Sequence, residues 1–208
     1  MSDTILVPGG RDVRATLDAA ASDGSRADAV VVACSPHPRQ RGHRGDERLV
    51  AASDALTDRG IDCLRFDYGD WDEGYGESTD ADEAVGWAVE RYDRVGLFGF
   101  SFGGTISLVA AVSRPDLAGV CALAPTARVT PDVDAVAALD DLAGLGVPVR
   151  ILYATRDSTA DWEPVVERAR GRGVETESFE SDHFFVGRSG RVGEAVAGFL
   201  SPRLRDGV

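Results

Sequence analysis

Gly99-Phe100-Ser101-Phe102-Gly103 stands between an apolar run at 95–100 and an apolar segment at 102–113 that is long enough for a helix. A Gly-x-Ser-x-Gly spacing at the junction of a strand and a helix predicts a strained turn that lifts the serine hydroxyl clear of the sheet. Gly99 and Gly103 would let strand and helix approach closely, because a Cβ at either position would clash. The alternative is a glycine-rich turn that only packs a helix on a sheet. The sequence on both sides of the turn distinguishes the two interpretations.

Outward from this turn, short apolar runs alternate with longer amphipathic segments. The apolar run at 29–34 does not alternate with polar residues, which is typical of a strand buried on both faces. Pro8-Gly9-Gly10 predicts a hairpin turn before it. The predicted strands are residues 4–7, 13–17, 29–34, 62–66, 95–100, 119–123, 149–154 and 174–179. This order predicts one domain over residues 1–208, an α/β fold with a mostly parallel eight-stranded sheet and helices on both faces.

The amphipathic segments between the strands predict six helices. They are residues 46–59, 78–91, 102–113, 134–142, 161–171 and 188–200. Ser78 or Thr79 is expected to cap the second of these helices, ahead of acidic residues in its first turn. Asp161 is interpreted as the N-cap of the fifth. Residues 124–148 leave room for one short helix, which predicts a minimal cap or none and an open site.

Ligands bind such sheets beyond the carboxyl ends of the strands, where Ser101 is the candidate nucleophile. The same turn aims the backbone N–H of Phe102 at the place where an oxyanion would form. Triads of this motif follow the chain order serine, acid, histidine. His183 is the one histidine after Ser101, four residues beyond the strand at 174–179, and is therefore the predicted base. A surface-loop histidine is the alternative.

The acid of the triad should follow the strand at 149–154. Thr155-Arg156-Asp157 comes directly after it, so Asp157 is the predicted acid, which would fix the tautomer of His183 and stabilise its imidazolium form. Asp182 is the rival. Side chains of adjacent residues usually point apart, so Asp182 is poorly placed to hold the ring of His183.

The second oxyanion donor should come from the loop after the strand at 29–34, because the motif draws on that loop. The loop reads Ser35-Pro36-His37-Pro38-Arg39. Pro38 has no N–H, so the backbone N–H of Arg39 is predicted to act beside that of Phe102. A rigid turn with no role in chemistry is the alternative.

Four stretches of the chain resemble the α/β-hydrolase superfamily, and within it the small dienelactone hydrolase-like proteins with a His-Pro-His-Pro oxyanion loop. They are Ser-Pro-His-Pro at 35–38, Gly-Phe-Ser-Phe-Gly-Gly at 99–104, the acid loop at 154–157 and Asp-His-Phe-Phe-Val-Gly-Arg at 182–188. The resemblance runs from residue 28 to 200 and implies the α/β-hydrolase fold. True dienelactone hydrolases use a cysteine nucleophile. Ser101 stands in that place here, so their activity is not implied.

Two oppositely charged loops are expected to meet at the mouth of the site, because the strands that feed them are neighbours in the hydrolase sheet. Residues 67–77 are acidic, whereas residues 37–48 hold a basic cluster. The predicted substrate-binding residues are His37, Arg39, Arg41, Trp71 and Tyr75. Exposed ion pairs of little energetic worth are one interpretation, and arginines that bind a substrate carboxylate are the other. The spacing matches no calcium loop.

The net charge limits the possible partners. The chain has 35 acidic and 22 basic residues, all of the latter arginine, for a net charge of −13. Such a charge disfavours binding to nucleic acid and to anionic membranes. No apolar stretch is long enough for a membrane span or a signal peptide, which predicts a cytoplasmic protein. The acidic surplus fits adaptation to a salty cytoplasm, and a GC-rich genome is an alternative reason for the missing lysine.

Together these features predict a serine hydrolase that cleaves a small carboxylic ester or related acyl compound through an acyl-enzyme on Ser101. No metal and no organic cofactor is expected. The expected partner is a small-molecule acyl substrate, and the expected state is a monomer or homodimer. A peptidase or thioesterase on the same triad stays open, as does a non-catalytic binding protein on a hydrolase scaffold.

Overall fold

A central sheet of eight strands organises the protein, whose computed structural model describes residues 2–20 and 26–205. Its strands are β1 (Ser2–Leu6), β2 (Arg14–Asp18), β3 (Ala29–Cys34), β4 (Asp62–Asp67), β5 (Arg94–Phe100), β6 (Gly119–Leu123), β9 (Val149–Ala154) and β10 (Glu175–Phe179). A separate ribbon is formed by β7 (Arg128–Thr130) and β8 (Val133–Asp134). Each predicted strand is present in the sheet.

The order of strands across the sheet is β1-β2-β4-β3-β5-β6-β9-β10. β2 pairs antiparallel with both of its neighbours, and every pairing from β4 to β10 is parallel. The prediction of a mostly parallel eight-stranded sheet is therefore confirmed. The carboxyl ends of β3, β5, β9 and β10 lie at one edge, so the loops that carry Ser101, Asp157 and His183 leave the sheet on the same side.

Helices cover both faces of the sheet. They are α1 (Glu47–Thr57), α2 (Tyr75–Val89), α3 (Phe102–Ala111), α4 (Ala135–Leu145), α5 (Glu163–Gly171) and α6 (Ser189–Arg205). α1 and α6 pack on one face, and the other four pack on the opposite face. Val30 and Val32 of β3 point to one face while Val31 points to the other, and all three are fully buried. The unbroken apolar run of β3 is explained by this two-sided burial.

The start of α2 differs from the prediction. α2 begins at Tyr75, after Gly74 with a φ of 99°, and not at Ser78. The buried carboxylate of Glu77 accepts the N–H groups of Gly74 (2.8 Å) and Asp72 (3.0 Å). Capping by Ser78 or Thr79 is therefore wrong, because a glutamate three residues after the cap satisfies the free backbone donors instead.

Other helix ends differ as well, and two of them have a clear physical reason. The N-cap of α5 is Trp162 and not Asp161, because the carbonyl oxygen of Asp161 accepts the N–H of Ala127 (2.8 Å) and so ties this residue to the segment before β7. α6 continues to Arg205, past the predicted end at residue 200, and includes Pro202. Leu204 is buried against the sheet, which extends the helix.

The segment between β6 and β9 is short. Residues 124–148 form only the ribbon of β7 and β8 and the single helix α4. Strands of three and two residues are too short to show a periodic pattern, so the ribbon could not be predicted. No lid stands over the carboxyl edge of the sheet in this segment, in agreement with the expectation of a minimal cap.

The contact between α1 and α6 depends on one glycine. A Cβ on Gly193 would lie 2.3 Å from the carbonyl oxygen of Ala51, whereas a Cβ on Gly198, on the same helix, would meet no atom within 4 Å. The two glycines therefore differ in kind: the first is needed for close packing, and the second only lowers helix propensity.

Gly198→Ala should raise the free energy of unfolding by about 0.5–1 kcal/mol, since alanine is the better helix former. Gly193→Ala should lower it by about 1–3 kcal/mol, because α6 has to move away from α1. Urea denaturation of both variants and the wild type measures this. Equal effects of the two substitutions would contradict the packing described for α1 and α6.

Candidate active site

The turn between β5 and α3 holds Ser101 in a strained conformation. Its φ is 56° and its ψ is −120°, a combination that residues other than glycine rarely adopt. Its N–H donates to the carbonyl oxygen of Leu123 (2.8 Å) on β6. A Cβ on Gly99 would lie 2.0 Å from the oxygen of Gly103, and one on Gly103 would lie 2.3 Å from the oxygen of Cys34. Both glycines are thus required for the close approach that the spacing predicts.

His183 lies beside Ser101, with its Nε2 2.9 Å from the serine Oγ. Only 4% of the histidine surface is exposed. Its ring packs against those of Phe100 (5.2 Å between centroids) and Phe184 (5.4 Å). The structure therefore places His183 in the site and not on an exposed loop. A neutral imidazole can accept the proton of the serine hydroxyl at this distance.

Asp157 contacts the other ring nitrogen of His183. Its Oδ2 lies 2.7 Å from Nδ1, and its side chain is fully buried. Its Oδ1 accepts the backbone N–H groups of Thr159 (2.8 Å) and Ala160 (3.0 Å). These contacts fix the orientation of the carboxylate, which in turn favours the tautomer of His183 that carries its proton on Nδ1.

Asp182, the rival acid, does not reach the ring. It is exposed, and its Oδ1 accepts the N–H of Phe184 (3.1 Å), which closes the turn of its own loop. Among the described residues, the carboxylate that contacts His183 is therefore that of Asp157.

The acid loop and the histidine loop are joined by their backbones. The N–H of Arg156 donates to the carbonyl oxygen of Ser181 (3.0 Å), so the residue before Asp157 is tied to the histidine loop. Phe185 is fully buried and packs edge-on against Phe179 at the end of β10 (5.5 Å). The histidine loop is thus held on both sides of His183.

The backbone donors around the expected oxyanion position differ in their hydrogen bonds. Phe102 opens α3, so its N–H lacks an acceptor within the helix. The N–H of Arg39 donates to Nδ1 of His37 (3.2 Å) and is already engaged. The N–H of His37 has no acceptor in the described ranges. Gly42 leaves the space beside this nitrogen open, because a Cβ on residue 42 would lie 2.8 Å from it. Of these two loop donors, the N–H of His37 is therefore without an acceptor in the described ranges and that of Arg39 is engaged.

The ring of His37 is held between two aromatic side chains. It stacks on Trp71 (4.5 Å between centroids, 21° between planes) and lies 5.0 Å from Phe102. Burial lowers the pKa of His37 below its ordinary value, although the carboxylate of Glu77 opposes this shift. A neutral ring suits the contact with Arg39, because Nδ1 must carry no proton to accept its N–H.

A cavity of about 150 Å³ opens beside Ser101 and His183. Its other lining residues are Pro36, His37, Gln40, Arg41, Gly42, Asp46, Arg48, Phe100 and Phe184. The cavity is therefore built from the oxyanion loop, the start of α1 and the histidine loop. It has room for a small group and combines charged side chains with two phenylalanine rings.

The five predicted substrate-binding residues do not all reach this cavity. His37 and Arg41 line it. Trp71 supports it from behind the ring of His37. Arg39 and Tyr75 are exposed and do not line it. The basic cluster at 37–48 thus contributes two arginines, Arg41 and Arg48, to the lining of the cavity.

The acidic and basic loops meet, as expected from the sheet order. The backbone N–H of Arg44 donates to Oδ1 of Asp67 (2.5 Å), and its guanidinium contacts Oδ2. This pair fits the interpretation of partly exposed ion pairs. Within residues 2–20 and 26–205, however, Arg39 and Arg41 form no ion pair. Their positive charges remain available to a ligand.

The cavity also has lining residues that were not among the predicted site residues, and Arg48, Phe184 and Gly42 are three of them. Arg48 lies in the first turn of α1, two residues after the Asp46 that caps this helix. Phe184 directly follows His183, and its ring is half exposed. Gly42 follows Arg41 in the basic loop. Adjacency to the predicted base is the signal for Phe184, and membership of the basic cluster at 37–48 is the signal for Arg48, whereas Gly42 reaches the site only through the fold.

Comparisons of sequence give limited matches. The family model of the X-Pro dipeptidyl-peptidases (S15 family) matches residues 66–136, a segment that contains Ser101 but neither Asp157 nor His183. An uncharacterised protein of Rickettsia prowazekii (strain Madrid E) is 23% identical over 189 residues, which cover 82% of this chain and 78% of that protein.

Solved structures are similar over the whole chain. XC6422 of Xanthomonas campestris, an α/β serine hydrolase without lid, has 20% identity and a TM-score of 0.81, covering 100% of this chain and 97% of its own. Est1E of Butyrivibrio proteoclasticus has 17% identity and a TM-score of 0.82, covering 99% of each chain. A dienelactone hydrolase of Anabaena variabilis has 19% identity and a TM-score of 0.74, covering 99% of each. With the strand order and the turn at Ser101, these similarities show that the chain has the α/β-hydrolase fold.

Proposed function

We propose that the protein is a serine hydrolase that cleaves a small carboxylic ester or a related acyl compound. The proposal rests on one observation, the pair of contacts from Ser101 Oγ to His183 Nε2 (2.9 Å) and from His183 Nδ1 to Asp157 Oδ2 (2.7 Å). Such a relay makes a weakly acidic hydroxyl nucleophilic near neutral pH. The chemistry needs only these side chains, and the proposal assigns no metal or organic cofactor.

In the acylation step, Ser101 Oγ attacks the ester carbonyl carbon while its proton passes to Nε2 of His183. Asp157 holds the other ring proton on Nδ1 and stabilises the imidazolium that forms. The imidazolium then gives its Nε2 proton to the leaving alkoxide. The alcohol departs, and the acyl group remains bonded to Ser101.

In the deacylation step, a water molecule takes the place of the alcohol. His183 accepts a proton from this water as its oxygen attacks the acyl carbon, and it returns a proton to Ser101 Oγ as the bond to the serine breaks. The carboxylic acid leaves, and the starting form of the site is restored.

The negative oxygen of each tetrahedral intermediate needs two donors. We assign the backbone N–H of Phe102 as the first and that of His37 as the second, in place of Arg39. Fixed backbone donors stabilise a developing oxyanion without reorganisation. The rigid stack of Trp71 on His37 supports this assignment, since it holds the donor loop in place.

Small substrates fit the site best. The cavity of about 150 Å³ is smaller than the usual range for drug-sized ligands. Relatives of the same fold include Est1E, one of whose structures contains ferulic acid, and an esterase domain of Rhodothermus marinus. These names favour an ester as the substrate, and the small cavity favours a short acyl or alcohol group.

A peptidase is the second candidate function. The match of residues 66–136 to the X-Pro dipeptidyl-peptidase model supports it. The matched segment omits two of the three triad residues, so it is weaker support than the similarity over 97% of this chain to the esterase domain of Rhodothermus marinus. A thioesterase on the same triad and a non-catalytic binding protein remain open as well.

The localisation, oligomeric state and partners of the protein are also part of the proposal. No helix in the described ranges has the length and apolarity to cross a membrane. We propose a cytoplasmic monomer or homodimer with a small-molecule substrate and with no nucleic-acid or membrane partner. The net charge of −13 supports the last point, and adaptation to a salty cytoplasm remains a hypothesis.

The triad can be tested by the rate at which a fluorophosphonate labels the protein. Asp157→Asn should lower this rate by about 10³–10⁴-fold, because the tautomer of His183 is no longer fixed. Asp182→Asn is the matched control, and its rate should stay within about twofold of the wild type. Ser101→Ala should not be labelled. Equal losses for the two aspartate variants would refute the assignment of Asp157.

The reaction can be tested with a panel of acetate, butyrate and decanoate esters, a thioester and an Xaa-Pro anilide. The acetate and butyrate esters should have the highest kcat/KM, because the cavity is small, and Ser101→Ala should abolish turnover. Faster cleavage of the anilide would favour the peptidase. A folded wild type that neither reacts with a fluorophosphonate nor turns over any substrate would favour the binding protein.

The free charge of Arg41 predicts a preference for anionic esters. Arg41→Ala should lower kcat/KM for an ester with a second carboxylate by about tenfold, the worth of one charge-assisted hydrogen bond, and should leave the neutral analogue nearly unchanged. Arg39→Ala, which removes a charge outside the cavity, should have a smaller effect. An unchanged ratio of anionic to neutral ester in Arg41→Ala would refute this role.

A further inference from the structure

Arg48 of α1 touches both halves of the proposed active site. Its Nη1 donates to the carbonyl oxygen of Phe184 (2.9 Å), the residue directly after His183. Its guanidinium carbon lies 4.6 Å from the ring centre of Phe100, the residue directly before Ser101. One side chain thus bridges the backbone beside the base and the strand end beside the nucleophile.

The guanidinium is itself firmly held. Asp46, the N-cap of α1, contacts its Nη2 (2.5 Å), and Glu47 contacts its Nη1 (3.0 Å). Only 12% of the Arg48 side chain is exposed. A long side chain that is buried and bonded at both terminal nitrogens has little freedom, so the positions of Phe184 and Phe100 are fixed relative to α1.

This placement has a cost that helix capping does not explain. Nε of Arg48 is buried and has no hydrogen-bond partner in the part of the chain that the structure describes. A buried donor without a partner destabilises a protein. Asp46 could cap α1 without the side chain of Arg48, because its Oδ1 accepts the backbone N–H of residue 48, whereas its Oδ2 contacts the guanidinium. The side chain of Arg48 is therefore not required for the cap of α1.

The aromatic contacts show how Arg48 would act on the reacting atoms. Phe100 packs against the ring of His183 (5.2 Å) and against Phe185 (6.3 Å), which anchors the histidine loop. Arg48 covers Phe100 from the side of α1. The contact of Arg48 with the ring of Phe100 and its hydrogen bond to Phe184 both act on residues that pack against His183. Together they restrict the position of the imidazole.

We infer that Arg48 is a positioning residue that sets the distance between His183 Nε2 and Ser101 Oγ. It acts through Phe184 and Phe100 and touches no reacting atom. This inference rests on the proposed function, since it concerns the same serine and histidine. A displacement of a catalytic group by about 1 Å lowers the reaction rate by about 100-fold.

Lysine and methionine should differ at this position. Lysine keeps the charge and one donor but lacks the planar fork that contacts Asp46 and Phe184 together. Methionine keeps the apolar stem and loses both contacts. Arg59→Met is the matched control: Arg59 lies just beyond the other end of α1 and pairs with Glu194 of α6 (2.7 Å), far from the cavity residues.

The test is fluorophosphonate labelling of Ser101 over a range of probe concentrations, with thermal unfolding of each variant. The limiting rate should fall by about 10–100-fold in Arg48→Met and by a smaller factor in Arg48→Lys. The half-saturating concentration should change much less, because binding is not the affected step. Arg59→Met should label at the wild-type rate even where its unfolding temperature falls.

Three results would overturn the inference. One is a wild-type limiting rate in folded Arg48→Met, which would make the residue merely structural. Another is an equal loss in Arg59→Met, which would assign the effect to α1 as a whole. The third is an unlabelled wild type, which would refute the proposed function together with this role. In the first two cases the wild type is labelled, so the proposed function stands.

Discussion

The close approach of three backbones at Gly99 and Gly103 is the constraint on which the site depends. With no Cβ at either position, β5 turns into α3 while α3 rests against the end of β3. Ser101 is forced to a φ of 56° as a result. The surrounding structure, including the hydrogen bond from Ser101 to Leu123, over-determines this conformation, which is how strain persists in a folded protein. The same approach brings the oxyanion loop next to the serine.

Asp157 and His183, the partners of Ser101, lie on two loops that are joined to each other. The acid loop and the histidine loop share a backbone hydrogen bond, and Phe185 anchors the second loop in the core. Asp157 and His183 therefore do not depend on long, mobile segments for their alignment. A fixed relay matches what general-base chemistry requires, since proton transfer depends steeply on the donor–acceptor distance.

Local patterns in the sequence predicted much of this structure. Apolar runs gave the strands of the main sheet, the glycine spacing gave the turn at Ser101, and chain order pointed to Asp157 and His183, which the structure brings together. These features depend on a few neighbouring residues or on strand order alone. They can be read before the fold is known.

Features that depend on the orientation of single side chains, or on contacts between distant segments, could not be read in this way. Glu77 caps α2 through a buried carboxylate, although Ser78 and Thr79 look like better caps by type. The N–H of Arg39 donates to the side chain of His37, two residues earlier. The prediction of Arg39 as a donor rested on the missing N–H of Pro38 and did not include this contact. Arg48 lies 136 residues from Phe184 in the chain, and no local pattern joins them.

The charges of the protein divide into two sets. Some arginines near the carboxyl edge are paired, as Arg44 is with Asp67 and Arg48 with Asp46, and act on local structure. Arg41 stands at the cavity without an ion-pair partner among the described residues. The net charge of −13 therefore describes the surface as a whole, whereas the potential at the cavity depends on a few arginines and on Asp46.

Reaction with diethyl p-nitrophenyl phosphate tests the central claim most directly. The organophosphate transfers its phosphoryl group to a serine that an adjacent base activates, and each transfer releases one p-nitrophenolate. The account predicts one equivalent of p-nitrophenolate per folded chain and a phosphoryl group on the peptide that contains Ser101. Transfer to another residue, or no transfer to the folded protein, would contradict it.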